Sequence, residues 1–224
     1  MLKKILVGLA AVILILVGVI ATRPSEFSIS RTATLPAPID VVFAQVNDFH
    51  QWPAWSPWGK LDPNMKSTYT GAESGTGAVN AWTGNDQVGE GRMTIEESRP
   101  NELVRIKLEF IKPFTVTNTT TFTFKAAQGG TEVTWTMSGH NNFVSKAFSL
   151  LMDMDKMIGK DFETGFANLK PVVEAEAAKR AEAVRLAEEK AAAEKAAAEK
   201  AAAEKLAAEQ AAGGIQPAVA QPTP

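Results

Sequence analysis

The stretch Leu103–Met137, LVRIKLEFIKPFTVTNTTTFTFKAAQGGTEVTWTM, decides the fold. Its polar and apolar residues alternate with a period of two, the pattern of strands with one buried face. In 103–110, Val104, Ile106, Leu108 and Phe110 share one face, and Arg105, Lys107 and Glu109 the other. In 114–124, Phe114, Val116, Phe122 and Phe124 fall on one face, with Asn118 and Thr120 between them. In 131–137, Val133, Trp135 and Met137 oppose Thr134 and Thr136. Lys112-Pro113 and Gln128-Gly129-Gly130 are turn signals too short for a crossover, so these neighbours are antiparallel.

Working outward, Met93 and Ile95 oppose Arg92, Thr94 and Glu96, and Arg99-Pro100-Asn101 turns the chain toward residue 103. The alternating segments begin at Phe27. A short helix follows Pro36-Ala37-Pro38, with Val42, Phe43 and Val46 on one side. After the last strand, the spacing of Val144, Phe148, Leu151, Ile158, Phe162 and Leu169 predicts one long helix over about 143–170, facing the sheet. Gly159 and Gly165 inside it each cost about 1 kcal/mol against Ala, which points to close backbone approach. The order is strand, helix, five or six strands, long helix. That is an α+β fold with an antiparallel sheet and segregated helices.

Both ends differ from this middle. Lys3 and Lys4 precede an uninterrupted apolar run from Ile5 to Ala21. A membrane-spanning helix needs about 20 apolar residues, roughly 17 at the least. A signal-peptide core usually has about 7–15. The run therefore reads as a single-pass transmembrane anchor, or otherwise as a cleaved signal that leaves a soluble exported protein. Either way, the lysines stay cytoplasmic and the globular part is exported to the periplasmic or extracellular side.

From Pro171 the composition turns to Ala, Glu and Lys, and EKAAAEKAAAEKAAAEK repeats every five residues. Such residues are strong helix formers. A five-residue repeat winds the charges around the helix and leaves no apolar seam for a coiled coil. The segment reads as a solvated helical arm, about 60 Å long for some forty residues. Gly213-Gly214 ends it, before a Pro- and Gln-containing tail expected to be disordered. The expected organisation is therefore an anchor and linker over 1–26, a globular domain over 27–170, an arm over 171–212 and a tail over 213–224. The 224 residues carry a net charge of -2, which argues against nucleic acid as a partner. The absence of cysteine excludes disulfides, thiolate metal sites and cysteine nucleophiles.

Several motifs carry a likeness to a known family. They are ATLPAPIDVVFAQVNDFHQWPAWSPW (33–58), LDPNMK (61–66), GTGAVNAWTGNDQVGEGRMTI (75–95), ESRPNELV (97–104), FIKPF (110–114), GGTEVTWTMSG (129–139) and MDKMIGKDFETGFANLK (154–170). In combination they resemble the polyketide cyclase/dehydrase branch of the START-like, or SRPBCC, superfamily. The resemblance implies a helix-grip fold, an antiparallel sheet curled around a long C-terminal helix, with an apolar cavity for a lipid or other hydrophobic ligand. Some relatives are cyclases, dehydratases or co-chaperones, and the branch has no universal catalytic motif. The arm lies outside the family pattern. It resembles in composition the Ala/Lys/Glu-rich central domain of the TolA envelope protein, which would suit an envelope partner.

The candidate ligand residues are Trp55 in the Trp52–Trp58 loop, Trp82, and the inward positions Phe110, Asn118, Thr120, Phe122, Trp135 and Met137. Phe148 and Met152 join them from the helix. An apolar wall with a few placed polar groups is the usual make-up of a ligand pocket. The same residues would equally make a filled core with satisfied polar groups. Asp86 and Glu90 could form a carboxylate pair at the cavity mouth, or serve only as turn residues. His140, between the last strand and the long helix, is the candidate general base, or plain surface. His50 and His140 are too far apart in sequence, and too poor in neighbouring acids, for a recognisable zinc pattern. No motif calls for a cofactor. The leading function is a membrane-anchored binding module for a lipid or other small hydrophobic ligand. The alternatives are a cyclase/dehydratase-type enzyme in the same cavity, or an envelope interaction protein with a filled core.

Overall fold

The computed structural model describes residues 1–150 and 152–213, without the side chains of Phe148 and residues 211–213. The expected tail beyond Gly213, and Leu151, lie outside the described residues. The apolar N-terminal run is helix α1 (Leu2–Ala21), closed by Thr22, whose hydroxyl donates to the Val19 carbonyl at 2.9 Å. Strand β1 (Glu26–Leu35) follows after residues 22–25. Helix α2 (Ile39–Asn47) starts after Pro38 and buries Val41, Val42, Phe43 and Val46. Two 3-10 turns, Phe49–Ala54 and Trp58–Lys60, carry the tryptophan loop. The Asp48 carboxylate accepts the His50 backbone N–H at 2.8 Å and so starts the first of these turns.

The remaining strands are β2 (Lys66–Gly71), β3 (Ala78–Thr83), β4 (Glu90–Arg99), β5 (Leu103–Lys112), β6 (Val116–Ala127) and β7 (Gly130–His140). With β1 they make one antiparallel sheet in the order β1-β7-β6-β5-β4-β3-β2. This is the expected curled sheet, and with the long C-terminal helix it is a helix-grip fold. The alternation of Leu103–Met137 holds in three dimensions: Val104, Ile106, Phe122, Phe124, Val133 and Trp135 are buried, and Phe122 lies opposite Trp135. One detail differs. Phe114 sits in the β5–β6 turn, exposed, because β6 begins only at Val116.

The single helix expected over 143–170 is two. Helix α3 (Phe143–Phe148) is capped by Asn142, which accepts the Ser145 N–H at 2.9 Å. Helix α4 (Met154–Gly213) is started by Asp153, which accepts the Lys156 N–H at 3.0 Å. Two N-capping side chains eleven residues apart set two helix starts where hydrophobic spacing alone suggested one. Val144 is consequently exposed on α3 rather than facing the sheet, while Phe162 and Leu169 on α4 are buried as expected.

Both helix glycines accept a close neighbour. A side chain at Gly159 would collide with the Arg31 guanidinium, and one at Gly165 would meet the Trp135 ring at 2.8 Å. The helix continues through Pro171, and Val173 is still buried.

The chain divides into two compact units, residues 1–177 and 178 onward. In the second, the helix is exposed wherever its side chains are described. It carries ion pairs along its own surface: Arg185 with Glu182 and Glu189, both at 2.6 Å, and looser Lys-to-Glu pairs such as Lys190–Glu194 at 3.9 Å.

Candidate functional site

The middle of the inner face is filled by rings. The Trp135 indole stacks on Phe162 of α4 at 4.2 Å and leans on Phe122 at 4.7 Å. Trp55 closes over both, at 6.4 Å from Phe122 and 5.8 Å from Trp135. Trp52 and Trp55 donate their indole N–H groups to the Val46 and Gln45 carbonyls, at 3.0 and 3.3 Å. Of the residues expected to line a cavity, Trp55, Phe122 and Trp135 therefore pack against one another in this structure. They point inward as expected, but α4 and the tryptophan loop occupy the space they face. Thr120 is buried in the same layer, beside Met137.

Burial falls off toward one end of the strands. Along β5, Val104 and Ile106 are fully buried, whereas Leu108 and Phe110 are only half-buried. Across β4 and β3, Ile95 and Ala78 are buried, whereas Met93 and Trp82 are half-buried. Trp82 lies over Gly91, edge-on to Phe110 at 5.9 Å, and donates its N–H to the Val88 carbonyl at 3.0 Å. This less covered end is the one where α1 joins, since Glu26 of β1 lies opposite His140 at the end of β7.

One row of inward residues crosses the sheet just inside that end. The pairings run Phe27–Gly139, Gly139–Asn118, Asn118–Leu108, Leu108–Met93 and Met93–Asn80. Asn118 is 7% exposed, and its Oδ1 has no hydrogen-bond partner. The Oδ1 of Asn80, in the same row three strands away, is likewise buried and unpaired. Leaving a buried acceptor unsatisfied costs about 1–3 kcal/mol, so each of these oxygens needs an explanation. The chain makes room for the first one. A side chain at Gly139 would stand 2.2 Å from Asn118 Oδ1 and 2.8 Å from the Phe27 ring, so glycine there lets both lie over β7. A groove of about 580 Å3 lies at this end of β1, β7 and β6, lined mostly by the outward-facing Glu26, Ser28, Thr117, Thr119, Ser138 and His140, together with Phe27, Asn118 and Gly139.

The other expected residues are distributed around this groove or away from it. His140 is exposed at the rim. Asp86 stands in the exposed β3–β4 turn, and Glu90 forms an ion pair with Lys112 at 2.7 Å. Met152, expected to face inward from a continuous helix, lies in the α3–α4 connection at 46% exposed. The Phe148 side chain is outside the described residues. Among the described residues no group of His, Asp and Glu could hold a metal ion.

The outer face is a charge ladder. Glu109 sits between Lys107 at 2.9 Å and Arg92 at 2.7 Å, and their hydrogen bonds hold its carboxyl below the usual carboxylate range. Asn80 was missed by the sequence reading. Its signal was there: Ala78, Asn80 and Trp82 alternate inward as Val116, Asn118 and Thr120 do, but the strand spans only Ala78–Thr83.

A family model described as polyketide cyclase / dehydrase and lipid transport matches residues 26–174, more than half of the chain. No curated protein matches the sequence. Solved structures share the fold. The di-domain ARO/CYC StfQ from the steffimycin biosynthetic pathway aligns at 8% identity and a TM-score of 0.50, over 69% of this chain and 52% of that one. The Aha1 dimer from Colwellia psychrerythraea aligns at 13% identity and 0.48, over 66% and 96%. Protein CV1439 from Chromobacterium violaceum aligns at 14% identity and 0.49, also over 66% and 96%.

Proposed function

Because the chain belongs to the polyketide cyclase/dehydrase and lipid transport family, we propose that it is a membrane-anchored module that binds a lipid or other small hydrophobic ligand. The ligand lies at the α1-proximal end of the grip, against Phe27, Leu108 and Phe110, rather than among the packed rings around Trp135. The observation that carries this reading is the buried Asn118 Oδ1, which has no hydrogen-bond partner at the less covered end of the inner face. A carbonyl oxygen is an acceptor. The ligand it suits is an apolar molecule with a hydrogen-bond donor such as a hydroxyl. Asn80 offers a second acceptor in the same row.

α1 supplies the anchor in this reading. It has 20 residues at a mean hydropathy of 2.8, long and apolar enough to cross a membrane. Lys3 and Lys4 would remain on the cytoplasmic side and the domain would be exported.

Native mass spectrometry of the detergent-extracted full chain tests the binding. A small amphiphile should co-purify. Asn118→Leu should weaken its retention about 3–10-fold, the worth of one hydrogen bond. The same substitution should leave the melting temperature unchanged or raise it, because it removes an unpaired polar atom from the interior. Wild-type protein that carries no small molecule, or an Asn118→Leu variant that retains it undiminished, would overturn the site.

A further inference from the structure

Strand register fixes which side chains share the edge of the sheet where α1 joins. Glu26 faces His140, Asn118 faces Gly139, and Phe110 faces Val116. The β5–β6 turn, the β7–α3 junction and residues 22–25 therefore lie along one edge. Helix α3 is packed against the end of α1: Ile20 is buried, and Lys146 Nζ donates to Ser25 Oγ at 2.9 Å.

That edge exposes large apolar side chains where turn chemistry does not ask for them. Phe114 in the β5–β6 turn is 65% exposed, with Ile111 beside it, and Phe143 and Val144 on α3 are 50% and 53% exposed. The opposite edge is built differently. Its turns carry Glu73, Ser74 and Gly75, then Asn101 and Glu102, then Gln128 and Gly129. The β3–β4 turn on the α1 side is also polar, with Asn85, Asp86 and Gln87, and it belongs to the part of the sheet farthest from β1. The apolar groups are thus gathered on the side next to α1. Residues 22–26 reach less than about 20 Å when extended. A domain tethered so closely meets the lipid interface before any other surface.

We propose that this edge docks on the bilayer that holds α1, with Ile111, Phe114, Phe143 and Val144 in the interfacial layer. The less covered end of the inner face, with the half-buried Leu108 and Phe110, then lies toward lipid rather than toward bulk water. The inference rests on α1 being a membrane span, as proposed above, and not on any ligand being bound.

The chain has no cysteine, so single labels can be placed directly. Full-length Phe114→Cys, Val144→Cys, Gln128→Cys and Leu14→Cys variants, spin-labelled and reconstituted in phosphatidylcholine vesicles, are compared by collision with oxygen and with a water-soluble nickel chelate. Labels at 114 and 144 should favour oxygen as the label at 14 does, and the label at 128 should favour the chelate. If 114 and 144 are as chelate-accessible as 128 while 14 is in lipid, the docking is wrong and the span stands. If 114 and 144 are shielded from both reagents, protein rather than lipid covers this edge and the docking is again wrong. A water-exposed label at 14 removes the span, and the docking with it. None of these outcomes depends on the ligand at Asn118, which mass spectrometry reads separately.

Discussion

Gly165 stands where any side chain would press on Trp135. A Cβ there would lie 2.8 Å from the indole, and that ring cannot yield because Phe122, Phe162 and Phe166 surround it. Gly165→Ala gains about 1 kcal/mol of helix propensity. Overpacking a filled interior typically costs about 1–3 kcal/mol. We expect a net loss of stability, read as a lower urea midpoint with an unchanged slope. A variant as stable as wild type would mean that the space between α4 and the sheet is slack, and that Trp135 could line a cavity after all. The sequence already pointed Trp135, Phe122 and Asn118 inward, because a two-residue period assigns faces. It could not say whether an inward ring meets a ligand or another ring. That depends on α4 bringing Phe162 to 4.2 Å from Trp135, a contact made across residues far apart in sequence. Asn118 stood out because it interrupts an apolar face, yet only its lack of a partner separates it from an ordinary satisfied core residue.

At the scale of elements, the start of α4 is held to the edge strand β1 by one side chain. Arg31 Nη2 reaches the Asp155 carboxylate at 3.1 Å, and Nε reaches Glu163 at 3.0 Å, across the gap that Gly159 leaves open. The hydrogen bond from Arg31 holds the Asp155 carboxyl below its ordinary value. A carboxylate depressed in the folded state contributes stability that is fully present above its unfolded value, about 3.9. That contribution is lost as pH falls further, through the folded value. Asp155→Asn should therefore melt below wild type at neutral pH, by a small margin because the pair is solvent-screened. The gap should close in scans taken below about pH 4. A gap that stays constant down to pH 2 would assign the effect to packing instead of charge. The sequence suggested close approach at Gly159 but not to what, since Arg31 lies on the first strand. It also merged α3 and α4, because apolar spacing runs on across 149–153 while the caps Asn142 and Asp153 carry the break.

For the whole molecule, the deciding question is whether α1 stays. Its apolar run was near the lower limit for a span when counted from Ile5, and Val19-Ile20-Ala21 would pass as small-residue cleavage chemistry. A helix of this length and composition serves an anchor and a signal sequence alike. Helix α1 extends over 20 residues, Leu2–Ala21, which at 1.5 Å per residue is about 30 Å, the thickness of a hydrocarbon core. Lys3 and Lys4 fall within its first turn, where long side chains can reach the headgroups. At the other end, the segment a peptidase would need in open form is helical, is closed by the Thr22 hydroxyl on Val19, and has Ile20 buried. We expect the chain isolated from membranes to retain residues 2–21, as read by intact mass and N-terminal sequencing. It should resist extraction by high salt or carbonate and yield only to detergent. A product beginning at Thr22 would free the domain into solution. The exposed Phe114, Phe143 and Val144 would then have no bilayer held next to them, and a soluble carrier would replace the anchored module as the working description.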